Sequence, residues 1–502
     1  MKQQITVTLN GRHLTADQGM TLSEIIKGEK PCGGHGRCGK CRVIAKGALS
    51  ALTDAERRLL SADEISRGVR LSCLAEALGD CEIVSLPASE HLQILADGVL
   101  PEAAQRPMFS GFGVAIDVGT TTLAARLYDT NGRMLAETSR LNPQQSFGAD
   151  VISRIEAALS GKAEPLLSAI RQALDGMLSE LSLLAGIDTQ TIDGVVITGN
   201  TVMLSLLVGE TTEPFSHAPF EVKRLFGETV AAKTLQLSCL APDTPVYLPP
   251  CISAFVGADL ICALLASRLY KGTTAMLADV GTNGEMALWH NERLTVCSTA
   301  AGPAFEGVGI SMGMRGAEGA IDRVVLSDSG AICAHVIGEG RPIGICGSGL
   351  VDAVAAMLQA EVLDETGYLE EEPFVIQAPV SITQNDVRAF QLAKSAICAG
   401  LVTLMENEGL KGRDISTLFI AGGFGNYLNK ESSAKVGLLP SVLAKRSRAI
   451  GNAALAGAAS MLLNTDLQAT AQELAQKAIT LDLASSPIFS NHFMTGMMLE
   501  EV

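Results

Sequence analysis

One pattern occurs twice in this chain of 502 residues: an apolar strand, the tetrapeptide Asp-Val-Gly-Thr, and a second apolar-rich strand. GVAIDVGTTTLAARLYD carries it around Asp117, and TAMLADVGTNGEMALWH repeats it around Asp279, 162 residues later. A plan repeated at that distance predicts two related α/β halves. Its chemistry is phosphate handling. Gly119 and Gly281 permit a tight turn between strands. The hydroxyls of Thr120, Thr121, Thr122 and Thr282, with turn N–H groups such as those of Asn283 and Gly284, can then hydrogen-bond phosphate oxygens. Asp117 and Asp279 would lie across a cleft, where carboxylates hold Mg²⁺ through its waters and orient an attacking water. A single copy is more often a plain hairpin turn, a reading that two related copies weaken.

Three further segments add to the plan. TLFIAGGFGNYL reads as a buried strand, Ser416 to Ile420, running into Gly422, Gly423, Phe424 and Gly425, a turn that lets backbone approach an adenine or ribose. In VVITGNTVMLSLL a strand ends at Gly199 and Asn200 before a helix, and in GICGSGLVDAVAAML Gly347, Ser348 and Gly349 open a helix. Singly, each is commonly helix-entry packing. Together their order resembles the superfamily of acetate kinase, sugar kinases, Hsp70 and actin, in which two RNase H-like halves close on ATP. The resemblance runs from about residue 111 to 465. It implies a first phosphate loop at Asp117 to Thr122, a first connection at Gly199 and Asn200, and a second phosphate loop at Asp279 to Glu285. It also implies an adenosine loop at Gly422 to Gly425 and a second connecting helix in GNAALAGAASMLL.

The front of the chain has a different chemistry. Cys32, Cys38 and Cys41 follow the spacing C-x5-C-x2-C, and Cys73 comes 31 residues further on. Three thiolates on one loop and a fourth from a distant segment is how a [2Fe-2S] cluster is held, one residue away from the plant-type C-x4-C-x2-C…C. Gly33, Gly34, Gly36 and Gly39 let the loop curl and aim N–H groups at sulphur. The alternative is a structural zinc site, which usually pairs its cysteines as two short hooks; only one such hook is present. Around the loop, ITVTL with Asn10-Gly11 reads as a hairpin, TLSEIIKG as a helix capped by Thr21 and Glu24, CRVIAKG as a strand, LTDAERRLLS as a helix and CEIVSLP as a closing strand. This region resembles the adrenodoxin-like ferredoxins over about residues 1 to 90.

Composition narrows the classes. With 47% apolar and 18% charged residues the chain is expected to fold into several domains. A net charge of −16 argues against a sequence-independent nucleic-acid binder. Residues 1 to 90 hold 12 basic and 11 acidic side chains, so the acidity lies in the remainder of the chain. The N-terminus lacks the pattern of a signal peptide and Asp259 interrupts CISAFVGADLICALLASRLY, the best candidate membrane span, so a cytoplasmic protein without membrane insertion is expected. In that compartment, 12 cysteines suggest metal or redox chemistry before disulfides.

The expected architecture is an α/β multidomain chain. A β-grasp ferredoxin-like domain occupies residues 1–86, a proline-punctuated linker residues 87–110, and a duplicated RNase H-like ATPase domain residues 111–490, with halves of about 111–270 and 271–490. A one-electron carrier needs ATP only if the electron must go uphill. That domain order, with TGNTVM, DVGTNGE, AGPAFEG and IAGGFG, is similar to the ATP-dependent reductive activators of corrinoid proteins. The resemblance implies return of one electron to a methyltransferase's corrinoid protein, reducing Co(II) to Co(I), with a [2Fe-2S] cluster, ATP and Mg²⁺ as cofactors. It also implies a low-potential donor such as a ferredoxin or flavodoxin, and admits a homodimer. Plant-type clusters sit near about −400 mV, and a further climb of two or three hundred millivolts costs roughly 5 to 7 kcal/mol for one electron. Binding the Co(II) protein in a state with altered cobalt ligation would close part of that gap.

The short linker leaves no room for the additional middle domain of some members. AGPAFEGVGISMGMRGAEG, residues 302–319 with a preceding Ala301, faces either the corrinoid protein or the nucleotide. Two alternatives remain: an activator of 2-hydroxyacyl-CoA dehydratases, which needs interface cysteines in the ATPase fold, and a nucleotide-gated electron-transfer module without turnover. Cys239, Cys251, Cys262, Cys297, Cys333, Cys346 and Cys398 show no paired metal spacing, and the Asp117 and Asp279 pair argues for turnover.

Overall fold

The computed structural model describes residues 4–9, 12–26, 41–60, 65–66, 68–85, 106–327 and 329–502. The turn at Asn10 and Gly11, the loop bearing Cys32 and Cys38, and most of the linker lie outside the described residues. The chain divides into two compact units, Met1–His91 and Leu92–Val502.

In the first unit, β1 (Gln4–Leu9), β2 (Arg12–Asp17), β3 (Arg42–Leu49), β4 (Val69–Leu71) and β5 (Ala77–Ser85) form one sheet of order β2-β1-β5-β3-β4. β1 and β5 run parallel, whereas β1 with β2 and β3 with β5 are antiparallel. Alternation in β1 buries Ile5 and Val7 against Val43, Ala45 and Ile83. Thr21 and Glu24 make the expected capping box, and Thr53 with Glu56 makes a second one at helix Asp54–Leu59. The short β4 has no counterpart in the sequence expectation, because three residues are too few to show a period.

The second unit holds two six-stranded sheets. In the first lobe, β6 (Phe112–Val118), β7 (Thr122–Asp129), β8 (Met134–Leu141), β9 (Ile192–Gly199), β10 (Glu228–Ala231) and β11 (Pro245–Leu248) take the order β10-β11-β9-β6-β7-β8. In the second lobe, β12 (Thr274–Val280), β13 (Gly284–His290) and β14 (Arg293–Thr299) open the sheet. A small sheet of β15 (Ala320–Leu326), β16 (Ile332–Val336) and β17 (Gly344–Ile345) comes next, then the hairpin of β18 (Phe374–Gln377) and β19 (Val380–Ile382). β20 (Thr417–Ala421), β21 (Ser447–Gly451) and β22 (Ile479–Thr480) complete the main sheet as β21-β20-β12-β13-β14-β22. Both sheets share an arrangement: a central first strand is antiparallel to the second and parallel to a much later one, β6 to β9 and β12 to β20.

These elements arise from local sequence. β6 and β12 are near-continuous apolar runs because both faces of a central strand are covered. Helix Ala163–Ala185 buries Leu166, Ile170, Leu174, Met177, Leu178 and Leu181 at three- and four-residue spacings, and ends where Gly186 adopts φ 69°.

Between the lobes, helices Ala258–Ser267 and Ala453–Leu463 share an apolar cluster. They cross where Gly457 lies so close that a Cβ there would sit 2.0 Å from the Cys262 carbonyl oxygen. The first connection, expected at Gly199 and Asn200, is therefore not the crossing helix; Ala258–Ser267 is. Among the described residues, one helix, Gln384–Asn407, is long and apolar enough to cross a membrane, and 83% of its apolar window is buried in the unit. The tail packs on this helix: Gln391 Nε2 donates to the Met497 carbonyl at 2.6 Å, and the buried Lys394 ammonium donates to that of Met498. Within residues 493–499, FMTGMML, Phe493 and Leu499 pack on the core while Met494 stays exposed.

Candidate active site between the two lobes

Two strand–turn–strand units place the two Asp-Val-Gly-Thr turns. β6 ends in Asp117-Val118 and β12 in Asp279-Val280, and the turns after them face one cavity of about 260 Å³. Asp117, Gly119, Thr120, Thr121, Thr122, Asn200, Asp279, Gly281, Thr282, Asn283, Gly422, Gly423 and Phe424 all line it. Gly284 and Gly425 do not. They are packing glycines, whose added Cβ would fall 2.5 Å from Ile397 and 2.6 Å from Ile420 respectively. Gly119 lacks room for a side chain, 2.6 Å from the Thr122 carbonyl, whereas Gly281 has ordinary space, 3.6 Å from Glu306.

Four carboxyls converge under these loops. Register sets Glu285 directly opposite Asp279 on the neighbouring strand, a like-charged pair that destabilises an ordinary sheet. Asp259 joins them from the first turn of helix Ala258–Ser267, and Asp117 from the other lobe. Burial, opposed by a hydrogen bond from Asn452 and reinforced by Asp259, pushes Asp117 up to about 7. Burial with the charges of Asp117 and Glu306 pushes Asp279 up to about 7. Burial and Asp279 do the same to Asp259, at about 7, and Glu285 is raised well above the carboxylate range by burial and both aspartates. Such a concentration of acid suits a divalent cation. Among the described residues no group of three or more His, Cys, Asp or Glu side chains is placed to hold a bare metal ion.

Two asparagines hold the carboxyls and hydroxyls in place. Asn452 caps helix Ala453–Leu463 through its oxygen and donates from Nδ2 to Asp117 Oδ2 at 3.0 Å. Asn200 caps helix Thr201–Val208 and donates to Thr120 Oγ1 at 3.1 Å, so its packing and site roles coincide. Behind the first loop lies a fully buried guanidinium, Arg154, whose Nη2 donates to the Thr120 carbonyl at 2.6 Å and Nε to that of Gly148 at 3.0 Å. Burial lowers its pKa to about 10, so it stays charged and sets a fixed positive charge behind the loop.

At the turn after β20, Gly422 adopts φ +91° and a Cβ there would meet Asp279 Oδ1 at 3.0 Å. Phe424 stacks on Phe305 with centroids 4.8 Å apart. Phe305, Glu306, Arg315 and Gly316 of the glycine-rich segment line the cavity, which places that part of residues 302–319 beside the two Asp-Val-Gly-Thr turns.

Sequence reasoning singled out none of Asp259, Glu285, Glu306 and Asn452 individually, although Glu285 closed the second phosphate-loop span, Glu306 lay in AGPAFEG and Asn452 in GNAALAGAASMLL. Asp259 carried a signal, as a lone acid in a long apolar run.

In the first unit, pairing of Arg42 with Leu71 and the bond from Ser72 N–H to the Cys41 carbonyl, 2.7 Å, bring Cys41 and Cys73 together with sulphurs 3.1 Å apart. Glu56 fixes this segment: it accepts from Arg70 Nε at 2.9 Å and from Leu71 N–H at 3.1 Å. Burial raises the Glu56 carboxyl, but these bonds, with Thr53, outweigh it and hold it below the usual value. Cys32 and Cys38 lie outside the described residues. Cys251, Cys262, Cys297, Cys346 and Cys398 are buried, and burial pushes each thiol up, so they behave as small apolar side chains.

Residues 273–502 match the C-terminal ASKHA domain of RACo, and residues 112–272 match the RACo middle region. The chain is 34% identical over 455 residues to the corrinoid activation enzyme RamQ of Eubacterium limosum, covering 83% of this chain and 76% of RamQ. This chain belongs to the RACo family of corrinoid activation enzymes. The matched middle region coincides with the first lobe, and it begins after the linker. A reductase of Methanosarcina barkeri, named for the Co(II) methylated amine-specific corrinoid protein, is 26% identical over 416 residues, 76% of each chain. A solved structure titled as a reductive activator for a corrinoid, iron-sulphur protein aligns with a TM-score of 0.73 at 26% identity, over 99% of this chain and 98% of that one.

Proposed function

We propose that this chain is an ATP-dependent reductive activase that returns one electron to the Co(II) corrinoid of a methyltransferase's corrinoid protein. The observation that carries the reading is the gathering of both Asp-Val-Gly-Thr turns on one cavity in a chain 34% identical to a corrinoid activation enzyme. We read the shared sheet arrangement as a duplicated RNase H-like fold, and the cavity as the site of ATP with Mg²⁺.

The chain's own residues divide the work there. Hydroxyls and amides of the two turns bind phosphate, Arg154 adds positive charge behind the first, and the Gly422 turn admits adenosine. Asp117, Asp259, Asp279 and Glu285 would hold Mg²⁺ through water, and Asp117 and Asp279 orient the attacking water. The converging thiols of Cys41 and Cys73 fit two ligands of one iron, and with Cys32 and Cys38 would hold a [2Fe-2S] cluster. When bound, that cluster supplies one electron at low potential. A ferredoxin or flavodoxin as donor, a homodimer and a cytoplasmic setting complete the reading.

The test is anaerobic incubation of the reduced protein with Mg-ATP and candidate corrinoid proteins, following cobalt by absorbance. Formation of Co(I) that requires ATP is expected; no Co(I) with any corrinoid partner would overturn the reading.

A further inference from the structure

The motif AGPAFEG contributes a single 3-10 turn, Ala304–Glu306, to the cavity wall. Its last side chain reaches both phosphate loops. Glu306 Oε1 accepts the backbone N–H of Thr282 at 2.8 Å and the Thr282 hydroxyl at 2.8 Å, while Oε2 accepts the Thr121 hydroxyl at 2.5 Å. Thr121 belongs to the first lobe and Thr282 to the second, so one carboxylate ties the two together.

These three donors are those that a nucleotide phosphate would use on the same turns. An oxyanion of the protein thus sits where an oxyanion of the ligand belongs. The place is a poor one for a carboxylate in electrostatic terms, because Asp279 lies close enough for the two to repel. Its retention needs the hydrogen bonds, and a triphosphate bound nearby would compete for them while adding to the repulsion. The neighbouring Phe305 is stacked on Phe424, so a movement of Glu306 is passed on to the adenosine turn.

We propose that Glu306 is an internal ligand of the phosphate site, which occupies the Thr282 and Thr121 donors in the nucleotide-free protein and gives them up when nucleotide phosphate arrives, releasing the tie between the lobes. The inference rests on the nucleotide reading of the cleft. It deepens that reading: the two turns are held together by the protein's own anion, and the affinity for nucleotide is the surplus over that contact.

The experiment is equilibrium binding of ADP and of the non-hydrolysable ATP analogue AMPPNP to the full-length protein, to Glu306→Gln and to Glu306→Ala, each with and without Mg²⁺. Glu306→Gln keeps the shape of the side chain and removes its charge, which guards against a variant that merely misfolds. Both variants are expected to bind AMPPNP about tenfold tighter than wild type, with or without Mg²⁺. Unchanged or weaker binding would overturn the proposal, and weakening confined to Mg²⁺ would mark Glu306 as a holder of the cation's waters instead. If the wild-type protein bound no nucleotide at all, the nucleotide reading itself would fall, and this inference with it.

Discussion

At the scale of the residue, the acid cluster makes the sharpest demands. Asp117, Asp259 and Asp279 are each raised to about 7, whereas an unfolded chain would titrate them near 3.8. Between those values the folded state binds protons that the unfolded state has released, so stability falls as pH rises through that window. Without nucleotide or divalent cation, the melting temperature is therefore expected to fall from pH 5 to pH 8. Asp259→Asn removes one buried charge and should make that fall smaller by about 2 °C or more, while lowering ATPase activity. A melting curve as steep in pH as that of the wild type would count against the cluster. Asp279→Ala is expected to lose at least about a hundredfold in ATP hydrolysis, as befits a group that holds the cation's water, and an unchanged rate would remove that role. Legibility at this scale depends on locality. Asp117 and Asp279 sit within strand–turn–strand units whose residues are contiguous, whereas the partner of Asp117, Asn452, lies 335 residues away and only the folded chain brings it near.

At the scale of the element, the crossing of helices Ala258–Ser267 and Ala453–Leu463 connects packing to chemistry. The first delivers Asp259 from its N-terminal turn, and the second delivers Asn452 as its cap. Their close approach depends on Gly457, since backbone at Cys262 cannot move aside as a flexible side chain could. Gly457→Val should push the helices apart, cost about 2–4 kcal/mol of stability, and raise KM for ATP as Asn452 draws away from Asp117. Chemical denaturation with steady-state kinetics would show both effects; loss of stability without a change in KM would separate the crossing from the site. The sequence placed the first connection at Gly199 and Asn200 because strand, glycine, asparagine and helix occur there in the expected order. That pattern describes helix entry in general. The actual crossing is marked by a glycine facing a carbonyl, a property of two helices together and of neither alone.

At the scale of the whole molecule, the proposed function joins nucleotide chemistry in one compact unit to redox chemistry in the other. The Asp-Val-Gly-Thr repeat was readable because each copy is contiguous in the chain; of the cysteine set, the structure brings together Cys41 and Cys73, with sulphurs 3.1 Å apart. The tail after residue 465 was not readable, since its methionines carry no period; its hold on helix Gln384–Asn407 through Gln391 and Lys394 emerges only in three dimensions. Division of labour between the units predicts that Cys73→Ser removes iron and the visible absorbance of a cluster while leaving ATP binding within about twofold of wild type. A parallel loss of ATP binding would argue against independent units. The central claim is that ATP in the lobed unit and thiolates in the small one serve a single reduction. It is tested most directly by following Co(II) to Co(I) in a corrinoid protein, anaerobically, with wild type, Asp279→Ala and Cys73→Ser in the presence of reductant and Mg-ATP. The account predicts Co(I) with the wild type alone; Co(I) formed equally fast by either variant would contradict it.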